Sequence, residues 1–117
     1  MLDRVATNLE HYMNLLSTRQ KLVASNIANA DTPGYKTKDI DFQFEFMSLA
    51  KDAPANQANP NVIEAPGLET KNDGNNVDMD RESRMLAENA LRFSLASTLA
   101  RGQIRTMRNA IQEGRGS

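Results

Sequence analysis

Ser25-Asn26-Ile27-Ala28-Asn29-Ala30-Asp31-Thr32-Pro33-Gly34-Tyr35-Lys36 is the stretch whose reading decides the fold. Upstream of it apolar residues recur with helical spacing, and downstream that pattern stops. Asn29 suits a helix C-terminus because it tolerates a left-handed backbone, and Pro33 shortly afterwards bars the helix from continuing. The same proline pushes Thr32 toward extended geometry. Thr32-Pro33-Gly34-Tyr35 then fits a type II turn, with Pro fixing φ at the second position and Gly supplying a positive φ at the third. Asn26 and Asn29 share one side of the last helical turns, where their amides can bind loose backbone carbonyls. Taken as local chemistry alone, this is a well-made helix stop.

Working back toward the N-terminus, Leu2, Val5, Leu9, Tyr12, Leu16, Val23 and Ile27 fall within about 60° of one another on a helix. Residues 1–30 are therefore expected as one amphipathic helix. Leu15 and Leu22 stand well off its apolar face. His11 is the single histidine, with no carboxylate or cysteine pattern beside it, and reads as a helix-surface residue.

Forward of the turn, residues 31–77 form a different kind of segment. Asp39-Ile40-Asp41-Phe42-Gln43-Phe44-Glu45-Phe46 alternates polar and apolar as a strand would. Phe42, Phe46 and Leu49 also fit a short helix capped by Asp41, and the break in alternation at Met47-Ser48-Leu49-Ala50 favours that reading. Pro54, Pro60, Pro66, Gly67 and several Asn then give loop composition, with a brief extended piece at Val62-Ile63. The segment is too poor in apolar residues to fold alone.

Regular structure resumes at Asp73-Gly74-Asn75-Asn76-Val77-Asp78-Met79-Asp80-Arg81-Glu82. Asp-Gly and Asn-Asn make a turn, Asp78 is an N-cap, and Asp80 and Glu82 place negative charge against the positive end of the helix dipole. Read instead as a calcium loop, the stretch would put Lys71 at a ligand position, which spoils that reading. Residues 78–117 are expected as a second long helix. Leu86, Ala90, Phe93, Ser97, Ala100, Ile104, Met107 and Ile111 step 4, 3, 4, 3, 4, 3, 4, a heptad seam. The expected packing within the chain sets Leu2, Leu9, Leu16 and Val23 against Leu86, Phe93, Ala100, Ile104 and Met107.

Leu91, Leu95 and Leu99 cluster on the opposite side of that second helix. Left in water, three leucines forgo about 5–9 kcal/mol of burial, as much as the whole stability of many domains. Two outcomes are open: the middle segment covers them, or they meet other molecules. The sequence favours the second, with Leu15, Leu22, Leu91, Leu95 and Leu99 as contacts between subunits.

The chain has 117 residues and a net charge of −1. The charge is uneven: residues 1–30 sum to +1, residues 31–77 to −4, and residues 78–117 to +2. A balanced total lacks the basic face of a nucleic-acid binder. With no cysteine and one histidine, zinc fingers, disulfide scaffolds and thiol catalysis are excluded, and no cofactor is expected. No Ser/His/acid set and no phosphate-binding glycine loop is present, so neither an enzyme nor a small-molecule substrate is expected. Met1 to Asn8 lack a basic segment followed by an apolar run, so no cleaved signal peptide is expected. Nothing approaches a bilayer-spanning length of apolar residues.

An N-terminal amphipathic helix ending in Ser25–Tyr35, a variable middle and a C-terminal heptad helix together resemble the axial proteins of the bacterial flagellum. Asp39-Ile40-Asp41-Phe42, Asn75 to Glu82 and the opening Met1-Leu2-Asp3-Arg4 resemble, within that family, the proximal rod proteins of the basal body. The resemblance implies a mainly α fold, with two long antiparallel terminal helices in a coiled-coil-like hairpin and a short irregular, β-containing middle. It implies a structural subunit exported without a cleaved signal, stacked helically into a hollow rod in the periplasm. Other copies, other rod proteins, the rod adaptor protein, the membrane-embedded ring and the export gate are the implied partners. Asn26, Ile27, Asn29, Thr32, Pro33, Gly34 and Tyr35 carry the motif, and the expected role is to set the turn between inner helix and outer segment. The competing reading is a soluble coiled-coil adaptor or chaperone-like module.

Overall fold

Neither glycine nor proline interrupts the chain between Leu2 and Ala28, and that run is one α-helix, α1. A computed structural model describes residues 2–50 and 60–116. After α1 come strand β1 (Lys38–Ile40), helix α2 (Phe42–Ala50), strand β2 (Val62–Glu64) and helix α3 (Met79–Gly116). The two long helices form an antiparallel hairpin measuring 71 × 27 × 18 Å with the rest of the chain. The mainly α fold expected from the sequence is what the chain adopts, with a two-stranded sheet in its middle.

Both readings of the 39–46 alternation are partly realised. Asp39 and Ile40 belong to β1, and the chain turns helical one residue past Asp41. Asp41 caps α2 by accepting from the Phe44 amide at 3.1 Å. The side chains of Leu2, Phe46 and Leu49, and the loop around Pro54, lie outside the described residues. Strand β1 pairs antiparallel with β2 in the register Lys38–Glu64, Asp39–Ile63 and Ile40–Val62. Buried Glu45 on α2 holds the start of β2 by accepting from the Asn61 amide at 2.7 Å.

This small sheet and α2 lie along one side of α1. Tyr12 and Phe42 meet edge to face with centroids 5.8 Å apart, and the Arg19 guanidinium sits 5.2 Å from the Phe42 ring centre. That placement corrects one expectation. Leu15 lies between Tyr12 and Arg19 on the face so covered, is buried to 6% exposure, and is no subunit contact. Leu22, two turns further on the same side, is half-buried. The middle segment has enough apolar surface to cover one side of α1, and that is where it is spent.

A second correction concerns the hairpin seam. Leu16 and Val23 are buried and Leu9 is half-buried, in keeping with the α1 side of the expected packing. On α3, however, Leu86 (38%), Phe93 (39%) and Ile104 (56%) are exposed. The residues that face α1 are Glu82, Asn89 and Ala96, all buried, followed by half-buried Gln103, a strict seven-residue step. Each stands four positions before an expected contact, which is a rotation of about 40° about the helix axis. Ala100 and Met107 are half-buried, and Phe93, Ala100 and Ile104 line the rim of a groove with Ala6 and Met13 of α1. Polar bonds set the rotation: Asn89 Nδ2 donates to the Leu16 carbonyl at 2.9 Å and to Gln20 Oε1 at 3.0 Å. The methyl group of Ala96 permits the close approach of the helices that these short bonds require.

Candidate functional site at the hairpin base

The motif residues close the end of α1 in a definite order. The Asn29 amide donates to both Ser25 O (3.0 Å) and Asn26 O (3.2 Å), tightening the last turn. The Asn29 side chain donates to Ser25 O at 2.8 Å, and Thr32 Oγ1 donates to Asn29 Oδ1 at 3.0 Å. The Tyr35 amide then reaches back to Thr32 O at 3.2 Å across Pro33 and Gly34, with Gly34 at φ 77°. Helix α1 ends at Ala28, two residues before the expected Ala30. Ile27 is half-buried, while Thr32, Pro33 and Gly34 face solvent.

Asn26 has a larger part than tying down carbonyls of its own helix. It is fully buried, and its amide pairs with strand β1 as a neighbouring strand would: Oδ1 accepts from Lys38 N at 3.0 Å, and Nδ2 donates to Lys38 O at 2.9 Å. The same group accepts from the Tyr35 hydroxyl at 2.9 Å and donates to Glu82 Oε2 at 3.2 Å. One side chain thus joins α1, the turn, β1 and α3. An unpaired buried amide is costly, so this set of bonds fixes one arrangement of the four segments.

Asp78 caps α3, its Oδ1 accepting from the amides of Asp80 (3.0 Å) and Arg81 (3.2 Å), and Asp80 is exposed. Glu82 lies in the first turn of α3, as expected, and has a further part there. It is completely buried and bonded to Asn26 and, at 2.6 Å, to Arg81. Arg81 continues to Asp39 at 2.8 Å, and Asp39 receives Arg19 in a two-pronged contact, both prongs 3.0 Å. Two arginines and two carboxylates alternate in a chain running α1–β1–α3, so the largely desolvated charges cancel.

Sequence reading assigned no bonding role to five participants: Arg19, Asp39, Asn75, Asn76 and Arg81. Asn75, fully buried, donates to Asn29 O at 2.9 Å and Thr32 O at 2.8 Å, capping the motif turn from the far side of the chain. Asn76 Oδ1 accepts from Thr37 N at 2.6 Å, and its own amide donates to Tyr35 O at 3.2 Å. The Asn-Asn pair is a bracket over the motif, and not only a turn. The available signal was two uncharged amides adjoining a second asparagine-rich motif; nothing local revealed that they meet.

Further up the hairpin, Arg92 donates to Glu88 (2.7 Å) and to the Tyr12 hydroxyl (3.4 Å). The Tyr12 bond first, and Glu88 second, hold its guanidinium above arginine's ordinary range. His11 is half-buried rather than a fully solvated surface residue, with Nδ1 enclosed and without a partner among the described residues. Among the described residues, no group of three or more His, Cys, Asp or Glu is arranged around a metal position. No helix among the described residues is long and apolar enough to cross a membrane.

The back of α3 stays uncovered. Leu91 (71%), Leu95 (61%) and Leu99 (53%) face outward, and the described part of the middle segment does not reach them.

The family model described as flagella basal body rod protein matches residues 13–36, the second half of α1 with the whole motif. Over nearly the full chain, the flagellar basal body rod protein FlgB of Escherichia coli K12 is 37% identical, covering 97% of this chain and 99% of the relative. The chain belongs to the FlgB family of flagellar basal body rod proteins. The FlgB proteins of Salmonella typhimurium LT2 (35%; 97% and 99% covered) and Yersinia enterocolitica (33%; 97% and 100%) are similar to it over the same span. The first of these alignments runs over 141 positions, more than the 117 residues here, so that relative carries insertions. Family membership places the chain in the basal body rod as a structural component, and none of these relatives points to a catalytic family.

Proposed function

We propose that the chain is a building block of the proximal rod, assembling helically with copies of itself and other rod proteins into the hollow shaft. The shaft transmits torque and lets exported subunits pass. The terminal helices form its inner part, with the middle segment outside. The rod adaptor protein, the membrane-embedded ring and the export gate are the neighbours at the proximal end. The observation that carries this reading is the outward stripe of Leu91, Leu95 and Leu99 on a helix already packed through its opposite side. Three leucines in water cost a monomer what a neighbouring subunit would return. Leu91, Leu95 and Leu99 are the subunit contacts in this reading, joined by exposed Leu86, Phe93 and Ile104.

The test is Leu95→Asp in a strain lacking its own copy of the gene. The variant chain is made and exported but builds no rod, and the cells do not swim. Normal rods in that strain overturn the reading.

A further inference from the structure

Charge along the hairpin is segregated in a way that the leucine stripe does not use. Between Glu88 and Glu113, α3 contains no acid and four arginines. Arg101, Arg105 and Arg108 form one exposed stripe at helical spacing, beside exposed Ile104 and Ile111. No ion pair or hydrogen bond engages their guanidinium groups among the described residues. Ala6 and Ala100 line one groove with Ile104, so this stripe sits toward the tip of the hairpin where α1 begins, with exposed Glu10 of α1 in the same groove.

The base carries the opposite sign. From residue 60 to residue 80 there are five acids and one lysine. Asp31, Glu69 and Asp80 are exposed there with carboxylates that bond to nothing among the described residues. Two base cations are engaged by backbone carbonyls, Lys36 Nζ donating to Gly74 O at 2.7 Å and exposed Lys71 Nζ to Ala30 O at 3.4 Å, and exposed Lys38 lies over the Tyr35 ring at 5.9 Å. Met79, 46% exposed, adjoins Asp80 and gives this end an apolar centre to match the isoleucines of the tip.

The two ends cannot satisfy each other within one molecule. At about 1.5 Å per residue, Asp80 stands some 30–40 Å from the arginine stripe, several Debye lengths at physiological salt. We propose that the arginine-flanked tip of α3 docks on the acidic hairpin base of a second copy of this chain. A tip-to-base contact joins two different surfaces, so it is heterologous and propagates instead of closing, as an open helical array requires. Opposed rim charges around an apolar centre set register and orientation more than raw strength. This deepens the rod-subunit reading by naming which ends meet.

The experiment uses the full chain and two reversed variants, Arg101→Glu/Arg105→Glu/Arg108→Glu at the tip and Asp31→Arg/Glu69→Arg/Asp80→Arg at the base. Self-association is followed by sedimentation, with circular dichroism showing that each keeps its helices. Wild type associates and weakens as salt is raised from about 50 to 500 mM, each variant alone associates about tenfold or more weakly, and an equimolar mixture of the two regains wild-type association. Either variant associating like wild type overturns the docking, as does a mixture no stronger than its components. Wild type that binds other rod proteins but never itself also overturns it. In cells, normal rods built from the tip variant sink the docking and leave the rod reading standing, whereas absence of the wild-type chain from isolated basal bodies sinks both.

Discussion

At the scale of single residues, the asparagines do the most unusual work in this chain. Asn26 uses its side-chain amide in four bonds to three other segments, and a methyl group in its place strands partners on all three. Asn26→Ala is expected to cost about 3 kcal/mol, against about 1 kcal/mol for Tyr35→Phe, which removes one shared hydroxyl. Thermal unfolding of the two variants checks the ratio. The turn glycines offer a second comparison. Gly34 (φ 77°) has open space around the position of a Cβ, whereas a Cβ on Gly74 (φ 86°) would stand 3.2 Å from Gly34 Cα. Gly34→Ala therefore suffers backbone strain alone, about 1 kcal/mol, while Gly74→Ala adds a backbone clash and is expected to lose about twice as much. Equal losses in denaturant unfolding would contradict that ordering.

At the scale of elements, the Arg19–Asp39–Arg81–Glu82 chain is what fastens the small sheet to both long helices. Removing its central carboxylate leaves two arginines facing each other in a largely desolvated site. Asp39→Ala is expected to destabilise by about 3 kcal/mol, read as a lowered denaturation midpoint, and to loosen β1 and β2 before the hairpin. Amide exchange that stayed slow in residues 38–40 would count against this. The seam between the helices answers to size. Ala96 is buried where the helices approach closely, so Ala96→Leu is expected to cost about 1–3 kcal/mol and to lower the melting temperature, although leucine is the better coiled-coil residue.

At the scale of the whole molecule, the hairpin is tied together internally at its base, while the outer surfaces of its back, its tip and its base are left without partners. Leu91→Ala, far from any internal contact, is expected to leave the monomer's unfolding within about 0.5 kcal/mol of wild type while weakening assembly. A matching loss of both would mean that the stripe is packed within the chain. Much of this architecture was legible beforehand. Periodicity marked both long helices, Pro33-Gly34 marked the turn, and Asp41 and Asp78 marked the starts of α2 and α3, because each of these is dictated by backbone geometry within a few residues.

What the sequence determined by itself was local: where helices begin and stop, which residues are apolar, and that α3 has more greasy surface than one partner can cover. Only the tertiary structure decided the rotation of α3 by about 40°, the burial of Leu15 and the inward turn of Glu82. Those outcomes depend on hydrogen bonds between residues tens of positions apart, such as Asn26 with Glu82 and Asn89 with Leu16, and helical spacing carries no information about such pairs. Apolar periodicity says that a face will be buried, but a buried amide or carboxylate must find one particular partner, and that demand fixed how the helices meet.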